Sequence, residues 1–512
     1  MKRNTTLTAV AVCASAIVGL AALGSAPASA DPTPATPFRV LTAMGSDTTQ
    51  DVMNGFAAAV TASGTDYRNS GLLQAAAAIG DTSIKTSILP VAGEVLTIGT
   101  GAGAENVTVS SVTTAASANT LAAAPGNAVA FNTVAVSALT KAHPALDIVV
   151  GNFVAAGTKV IASYDAQGGA VQTKANANCQ YIANNGGTTG TAYTGTTQSG
   201  SVQAGTLANS GFLAGGRANG SGPGASTLGE SYTPSSPTFG CVDVGRASSK
   251  RSNVTGLGLG NAVNIPFAID AVDFAVTTTS NFSRKLSFTQ LNAIYRCTFG
   301  GMIPNNAVIP AGTSTQAFAA STGQLYATVP QAGSGTRGFV LGALGLTDTP
   351  ASNAQGSVGA ACITDKTPTG GVLEEHNLIS LDDNGIGVTS IAQSIAQRAS
   401  AITGVTDKQG RTVLVAIDNT AAANGGTAHG DGKLSYATAM TNLFTGGTGN
   451  TPGALQMWRD VFNVVPLNRL ADPNIQAAFV GAGSSVCTDA TGVLSAYGFA
   501  KNPNCGITTN VG

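Results

Sequence analysis

The chain has 512 residues, only 10% of them charged, and 24 basic residues balance 25 acidic ones to give a formal net charge of −1. A chain of this length can form more than one hydrophobic core, because single cores rarely grow beyond about 250–300 residues. The low charge argues against a disordered chain, which combines low hydrophobicity with high charge. There is no basic stripe with interleaved aromatic residues, so we expect no nucleic-acid partner.

The N-terminus has the pattern of a secretory signal peptide over 1–30. A basic start precedes an apolar run over 8–23, and Ala28–Ala30 is a small-residue cleavage site before Asp31. We therefore expect a secreted, cell-envelope-associated protein that is cleaved after Ala30. Two alternatives stay open, namely an uncleaved membrane anchor, although the run is short of the ~20 residues of a span, and a lipoprotein attached at Cys13.

The mature chain contains an even number of cysteines, which in an exported protein predicts disulfide bonds. Their spacing shows no CxxC motif and no cluster with histidine. On loop length alone we prefer pairing between neighbours along the chain, namely Cys179–Cys241, Cys297–Cys362 and Cys487–Cys505.

The mature chain begins with a proline-rich leader over 31–37 and a predicted strand over 38–41. Gly45–Gln50 is a small-polar loop in which Asp47 and Gln50 have the spacing of a capping box. A helix is predicted next, because apolar residues recur at helical spacing at Val52, Met53, Phe56 and Val60. The unit is a strand, a polar turn and a helix.

Residues 84–151 have a different pattern. Short β-prone runs alternate with glycine turns and no helix is evident, so we predict a small all-β insertion. Within it, Gly99–Glu105 could be taken for a dinucleotide-binding loop, but no helix is predicted after it.

Residues 185–235 are rich in glycine, serine, threonine and asparagine and predict a surface loop. Near its end lies a second small-polar cluster that contains Ser221 and Gly222. Residues 242–249, which include Arg246 and Ser248, predict a strand followed by another polar turn.

The next stretches predict a further strand and a third polar turn. An apolar run over 265–276 predicts a strand, and apolar positions at helical spacing predict a helix over 286–295. The segment 331–338 lies between a predicted strand over 325–329 and a predicted helix over 339–344. It is the segment most indicative of ligand binding.

Three turns thus place serine, threonine and glycine before a helix, at 46–49, 221–222 and 334–336. A helix N-terminus exposes unpaired N–H groups and a partial positive charge, hydroxyls add donors, and glycine permits close approach of the backbone. One such turn is commonly only a helix cap. Three in one chain predict a site for a dehydrated tetrahedral anion.

An enzymatic alternative at Ser334 lacks supporting residues. A nucleophile elbow needs glycine two residues before and after the serine, where this chain has Ala332 and Thr336. The histidines are scattered, and His376 is interpreted as a surface or loop residue rather than a base. Residues 381–385 could form a calcium loop, but an Asx turn explains them more simply. We predict no catalytic residue, no metal site and no cofactor.

Several of these segments resemble the phosphate-binding-protein-like family, in particular its secreted actinobacterial branch. Gly45–Met53 resembles the first ligand loop of that family, and Ser334–Thr336 resembles its SGT signature, the most specific of the motifs. Residues 286–295 match its LS-x-x-QL-x-x-IY helix. Residues 265–276 and 459–466 resemble its two lobe-to-lobe crossovers.

The resemblance covers about 38–83 and 152–512. It implies an α/β, two-lobed type II periplasmic-binding-protein fold that closes on an anion, with the all-β insertion outside it. The implied domain order is signal peptide 1–30, leader 31–37, first lobe 38–83, inserted β module 84–151, first lobe again 152–272, second lobe 273–455 and a return to the first lobe over 456–512.

The resemblance implies a monomeric, non-enzymatic protein that binds phosphate or a similar oxyanion and presents it to an ABC permease in the membrane. The candidate ligand residues are Ser46, Asp47, Thr48, Thr49, Ser221, Gly222, Arg246, Ser248, Ser334, Gly335, Thr336 and Arg337. Asp47 is the first candidate, and Asp243 the second, for the acceptor that separates protonated phosphate from sulfate.

Two features depart from the family pattern. Phosphate binders of the family usually have arginine four residues before the SGT serine, where this chain has Pro330, and Arg337 is the candidate substitute. They also place an aspartate near the end of the third loop, where this chain offers Arg246, Ser248 and Ser249. Strict phosphate specificity therefore stays open. So do two other classes of function, a surface or adhesion protein that keeps the fold without transport, and a secreted phosphatase.

Overall fold

The structure, a computed structural model, describes residues 39–113, 132–164, 220–233, 240, 242–251, 253–254, 257–302, 323–346, 362–367, 373–398, 402, 404–418 and 457–509. The predicted signal peptide and leader, Cys13 and the predicted Cys179–Cys241 pair lie outside these residues. Among the helices within them, none is long and apolar enough to cross a membrane.

The strands are β1 Leu41–Gly45, β2 Arg68–Leu72, β3 Ser83–Thr86, β4 Val95–Ile98, β5 Glu105–Thr113, β6 Asn132–Val136, β7 Ile148–Phe153, β8 Ile161–Ser163, β9 Val244–Ala247, β10 Asn253–Val254, β11 Gly258–Leu259, β12 Ala262–Thr277, β13 Lys285–Ser287, β14 Tyr326–Thr328, β15 Ile363–Thr364, β16 Gly385–Ser390, β17 Thr412–Leu414, β18 Ala416–Asp418, β19 Trp458–Pro466 and β20 Ala500–Lys501. The α-helices are α1 Gln50–Ala59, α2 Ser221–Glu230, α3 Phe288–Tyr295, α4 Gly335–Ala343, α5 Ile391–Arg398, α6 Pro473–Phe479, α7 Ser485–Thr488 and α8 Val493–Ala496. Short 3-10 helices are formed by Asp47–Thr49, Gly101–Gly103 and Leu467–Arg469.

The largest sheet consists of two parallel groups of strands joined by a long antiparallel pair. Strands β8, β1 and β9 form one group, and β16, β14 and β15 form the other. The first part of β12 pairs with β19, while its second part pairs with β16 and β17. Because β12 passes from one group to the other, the chain forms two α/β lobes, the first around β1 and the second around β14. The predicted fold class, a two-lobed periplasmic-binding-protein fold, is confirmed.

Each lobe has its own hydrophobic core. In the first lobe, α1 buries Val52 and Phe56, two of the residues whose spacing predicts the helix. In the second lobe, Phe274 of β12 packs on Tyr295 of α3 with ring centroids 5.4 Å apart. A capping box begins α3, in which the Ser287 hydroxyl accepts from the backbone N–H of helix position N3. Local periodicity thus places both helices.

A separate six-stranded antiparallel sheet, with strand order β2-β7-β4-β5-β6-β3, forms what we call the β module, Arg68–Phe153. Its strands bury an apolar core of their own. The module starts at Arg68 rather than at residue 84, because its first strand pairs with its last. At its base, the Val154 N–H donates to the Tyr67 carbonyl at 2.9 Å, so the two ends lie side by side.

Two local predictions are wrong. The end of the predicted loop 185–235 contains α2, whose Ala225 and Leu228 pack in the first lobe together with Tyr232, which follows the helix. Asp47 does not cap α1, since neither of its carboxylate oxygens accepts a hydrogen bond from any described residue.

Two predicted disulfides are confirmed. Cys297 pairs with Cys362 in the second lobe, and Cys487 pairs with Cys505 near the C-terminus, with Cα–Cα distances of 5.7 and 5.6 Å. Each closes a loop between neighbouring cysteines, as loop length favoured.

Candidate functional site

Serine and threonine side chains from both lobes meet in a buried group that we call the hydroxyl cluster: Ser46, Thr48, Ser221, Ser248 and Thr336. Ser46 Oγ lies 3.0 Å from Ser248 Oγ, and Ser221 Oγ lies 3.1 Å from Ser248 Oγ. Thr48 Oγ1 lies 3.0 Å from Thr336 Oγ1. Since Thr48 belongs to the first lobe and Thr336 to the second, the cluster lies between the lobes.

The SGT segment reaches the cluster through the start of α4. The helix begins at Gly335, earlier than predicted, so the motif forms its first turn, and the Ser334 hydroxyl accepts from the Arg337 N–H at 3.0 Å. A Cβ on Gly335 would lie 2.4 Å from Ser248 Oγ and 2.7 Å from Ser221 Oγ. Only glycine therefore lets this helix N-terminus approach the hydroxyls so closely.

One carboxylate already uses donors of the cluster. Glu375 Oε2 accepts from Ser46 Oγ at 3.1 Å, from the Thr48 N–H at 2.8 Å and from Thr48 Oγ1 at 2.5 Å. The Glu375 side chain is fully buried, and its other oxygen, Oε1, has no hydrogen-bond partner in the described part of the chain. The cluster thus binds an anionic oxygen, and the carboxylate that supplies it has a second oxygen without a partner in the described chain.

A buried arginine supplies positive charge at the other side of the cluster. Arg459 Nη2, on β19, donates to Thr336 Oγ1 at 2.7 Å and to Asp270 Oδ2 at 3.0 Å. Its Nε and Nη1 atoms are buried and have no acceptor among the described residues. Burial raises the pKa of Asp270, although the charge of Arg459 opposes this. Sequence reasoning missed Arg459, and its place in the segment that resembles the late crossover was the available signal.

The two arginines that the sequence indicated contact other groups. Arg246 Nη1 donates to Ser163 Oγ at 2.6 Å. Arg337 Nη1 donates to Asp365 Oδ2 at 2.8 Å and to the Pro330 carbonyl at 3.1 Å. Both guanidinium groups thus have partners outside the hydroxyl cluster.

The remaining candidates hold the turns in place. Thr49 Oγ1 donates to the Ser46 carbonyl at 3.3 Å, and the Gly222 N–H donates to the Gly333 carbonyl at 3.2 Å. Asp243 accepts from the Thr42 N–H at 2.8 Å, within the first lobe. These contacts order the backbone around the cluster.

A second polar group lies next to the cluster and is formed by Asp47, Glu374 and His376, all buried. His376 Nδ1 lies 3.2 Å from Asp47 Oδ2. His376 lies in a turn, as the loop alternative predicted, but the expected surface position is wrong, because the residue is buried and the Gln409 amide donates to the His376 carbonyl at 2.9 Å. Burial lowers the pKa of His376 to about 3, and Lys408 acts in the same direction.

Asp47 has an unusual environment for a carboxyl group. Burial raises its pKa well above the usual range, and the neighbouring charges of Glu374 and Glu375 raise it further. The Lys408 ammonium, which donates to Glu374 Oε2 at 2.9 Å, opposes the shift. The group therefore holds more carboxylates than its cations neutralise.

No protein-family model and no curated protein matches the chain. Similar solved structures include an ABC-type phosphate transport receptor from Vibrio cholerae, with 16% identity, a TM-score of 0.28, and coverage of 56% of this chain and 86% of that one. A phosphate-binding protein from Stenotrophomonas maltophilia shares 15% identity, with a TM-score of 0.31 and coverage of 56% and 83%. The high-affinity periplasmic phosphate-binding protein PfluDING shares 17%, with a TM-score of 0.29 and coverage of 60% and 87%. At TM-scores this low, the ligand of this chain has to be judged from its own residues.

Proposed function

We propose that this chain is a secreted, non-enzymatic substrate-binding protein that holds a tetrahedral oxyanion, phosphate, between its lobes and presents it to an ABC permease. The observation that carries the proposal is the hydroxyl cluster, in which donors from both lobes converge. Two residues that contact this cluster have buried atoms without partners among the described residues, namely the acceptor Glu375 Oε1 and the donors Arg459 Nε and Nη1. Buried polar atoms in folded proteins normally have partners, and a bound oxyanion would supply them.

The anion would accept hydrogen bonds from a charged guanidinium and from neutral N–H and hydroxyl groups. Arg459 would donate through Nε and Nη1, and such charge-assisted pairs are stronger than neutral ones. The N–H groups at the start of α4 would add donors together with the partial positive charge of the helix N-terminus. Ser248 and Thr336 would contribute hydroxyls. Because Thr48 and Thr336 come from different lobes, the bound anion would hold the lobes together.

Glu375 is the residue that would select phosphate. Phosphate at neutral pH keeps a proton, which can be donated to Glu375 Oε1, whereas sulfate has none and would be repelled by the carboxylate. The sequence indicated Asp47 for this role, but Asp47 Oδ2 faces His376 at 3.2 Å. Glu375 accepts directly from the cluster and therefore replaces Asp47 in the proposal.

The test is calorimetry on the mature chain with phosphate and with sulfate. Thr336→Val should weaken phosphate binding ten- to a hundredfold, because a hydrogen bond to a charged group contributes roughly 1.5–3 kcal/mol. Glu375→Gln should bring the affinities for the two anions together. The matched control is Thr97→Val in the β module, whose hydroxyl donates to Asn106 Oδ1 at an exposed position and should not affect binding.

Three outcomes would overturn the proposal. Binding of neither anion at millimolar concentration, with cooperative unfolding intact, would favour the surface or adhesion alternative. Equal phosphate affinity in Thr336→Val and wild type would refute the site. Steady turnover of a generic phosphomonoester, lost in Ser334→Ala, would favour the phosphatase alternative.

A further inference from the structure

The polar group beside the hydroxyl cluster has the composition of a metal site. It offers two carboxylates, Asp47 and Glu374, and one imidazole, His376, with ligand atoms that all lie within 4.8 Å of one another. A tetrahedral ion with ligands at about 2.0–2.2 Å has neighbouring ligand atoms roughly 3.3–3.6 Å apart. The separation of 3.2 Å between Asp47 Oδ2 and His376 Nδ1 is close to that spacing. Any longer separation within the 4.8 Å limit would have to shorten when an ion binds.

Asp47 gives a second, independent indication of a ligand. Its side chain is only 1% exposed, yet neither oxygen accepts a hydrogen bond from the described residues. A buried ionised carboxylate without donors is strongly unfavourable, so it takes up a proton unless it is paired or coordinates a metal. His376 Nδ1 likewise has no hydrogen-bond partner in the described chain and is directed at Asp47. The two unpartnered atoms face each other across the same point.

The acidic side chains around this point outnumber the basic ones, which favours binding of a cation. Four acidic side chains act on it: Asp47, Asp51, Glu374 and Glu375. Opposite them are the Lys408 ammonium, at 2.9 Å from Glu374 Oε2, and the Arg251 guanidinium, which acts on Glu375. Binding of a metal ion would keep Asp47 ionised, and a divalent cation would then balance the two remaining negative charges.

We propose that Asp47, Glu374 and His376 bind a divalent transition-metal ion, of the zinc or manganese class, through two carboxylate oxygens and His376 Nδ1. Mixed imidazole and carboxylate sets suit such ions, and water would complete the coordination. Asp47 belongs to the first lobe and the other two to the second, so the ion links the lobes. This site is additional to the oxyanion site and is tested without phosphate.

The experiment starts from mature wild-type protein that is stripped with EDTA and exchanged into phosphate-free buffer. Titration with ZnCl2 and CoCl2 should show one ion per chain, and cobalt should develop visible absorption bands. Loss of a residue that only hydrogen-bonds a metal ligand commonly lowers metal affinity about 10–100-fold. Loss of a ligand itself, in Asp47→Asn or His376→Gln, should therefore lower it by about 100-fold or more. The matched control is His143→Gln, which removes another buried histidine that lies between two carboxylates.

Several results would overturn the proposal. Wild-type protein that binds none of zinc, cobalt and manganese would refute it. So would His376→Gln protein that binds zinc as tightly as wild type. Circular dichroism in EDTA shows whether each variant folds. If a variant does not fold, X-ray absorption of zinc-loaded wild type decides, and a spectrum without an imidazole ligand refutes the site.

Discussion

Two buried histidines of this chain each lie between carboxylates, and their surroundings differ. In the β module, His143 Nδ1 lies 2.8 Å from Asp147 Oδ2 and Nε2 lies 2.9 Å from Glu105 Oε1. Glu105 also accepts from the Thr140 N–H and hydroxyl, at 2.8 and 2.7 Å. Between the lobes, His376 Nδ1 faces Asp47 at 3.2 Å, and the Asp47 carboxylate accepts no hydrogen bond from the described residues.

These surroundings indicate that the polar group at His143 is structural, whereas the group at His376 is available for a ligand. Around His143, the donors and acceptors satisfy one another, so the group ties the strand β5 to the turn before β7. Around Asp47, Glu375 and Arg459, buried atoms remain without partners in the described chain. Proteins usually keep such atoms only where a ligand, ion or water completes them. Four predictions test whether the two regions differ in this way.

The largest effect should come from removing the buried guanidinium of Arg459 beside the hydroxyl cluster. Arg459→Met leaves Asp270 buried with its charge uncompensated, and breaking a buried pair in this way lowers the free energy of unfolding by about 3–5 kcal/mol. Denaturation in urea, followed by circular dichroism, measures the loss.

The control is Arg411→Met, whose ion pair with Asp383 is exposed and should change stability little. The double variant Arg459→Met with Asp270→Asn should recover much of the loss. Equal destabilisation by Arg459→Met and Arg411→Met would show that the cleft pair is no more important than a surface pair.

The next effect concerns Glu105, which belongs to the fully hydrogen-bonded group around His143 in the β module. Burial raises the pKa of Glu105, but hydrogen bonds from Thr140, His143 and Lys141 outweigh it, and the pKa falls to about 2. Glu105→Gln removes the charge from these bonds and should lower the free energy of unfolding by roughly 1.5–3 kcal/mol at neutral pH. Because the folded-state pKa lies below the unfolded one, this stabilisation is complete above pH 4.5 and is lost as the pH falls towards 2.

Thermal unfolding of wild type and Glu105→Gln over this pH range checks the sign. A difference that grows as the pH falls would contradict the assignment of Glu105 as a charged acceptor.

The third effect has the opposite sign. In EDTA, Asp47→Asn should raise the free energy of unfolding by about 1 kcal/mol, because it removes a buried carboxylate that has no donors and lies among like charges. Urea denaturation at constant pH measures the change, with Asp147→Asn in the β module as the matched control that should destabilise. A loss of stability in Asp47→Asn would show that Asp47 has a structural partner.

Local sequence patterns predicted the elements but not the site chemistry. The spacing of Val52 and Phe56 identifies α1 because a helix buries one face, and this pattern depends only on neighbours in sequence. The SGT segment was recognisable for the same reason, since a helix N-terminus and its glycine are local features. The polar turn at 221–222 indicated a helix, but the residues of α2 were assigned to the loop 185–235, because they are small and because glycine and proline favour a loop over a helix.

The groups that carry the proposals meet only through the fold. Glu375 contacts Thr48 across 327 residues of sequence, and Arg459 contacts Thr336 across 123. No periodicity or spacing relates such positions, so Glu375 was passed over and His376 was interpreted as a surface or loop residue. Sequence reasoning could name the donors but could not identify the acceptor and the cation that face them.

The smallest effect should follow from removing most of the β module. Replacing residues 74–146 with Asn-Gly keeps β2 and β7 as a hairpin, because the Leu73 N–H already donates to the Asp147 carbonyl at 2.9 Å and Asn-Gly favours a two-residue turn. The contact that anchors β2, from the Arg68 N–H to Asn474 Oδ1 at 2.8 Å, is retained. Since the module has its own core, the rest of the chain should unfold cooperatively as before. Distant changes act additively within a few tenths of a kcal/mol, so phosphate affinity should stay within about twofold of wild type in calorimetry. Loss of cooperative unfolding would show that the module is part of the fold of the lobes, and loss of affinity alone would show that it shapes the anion site.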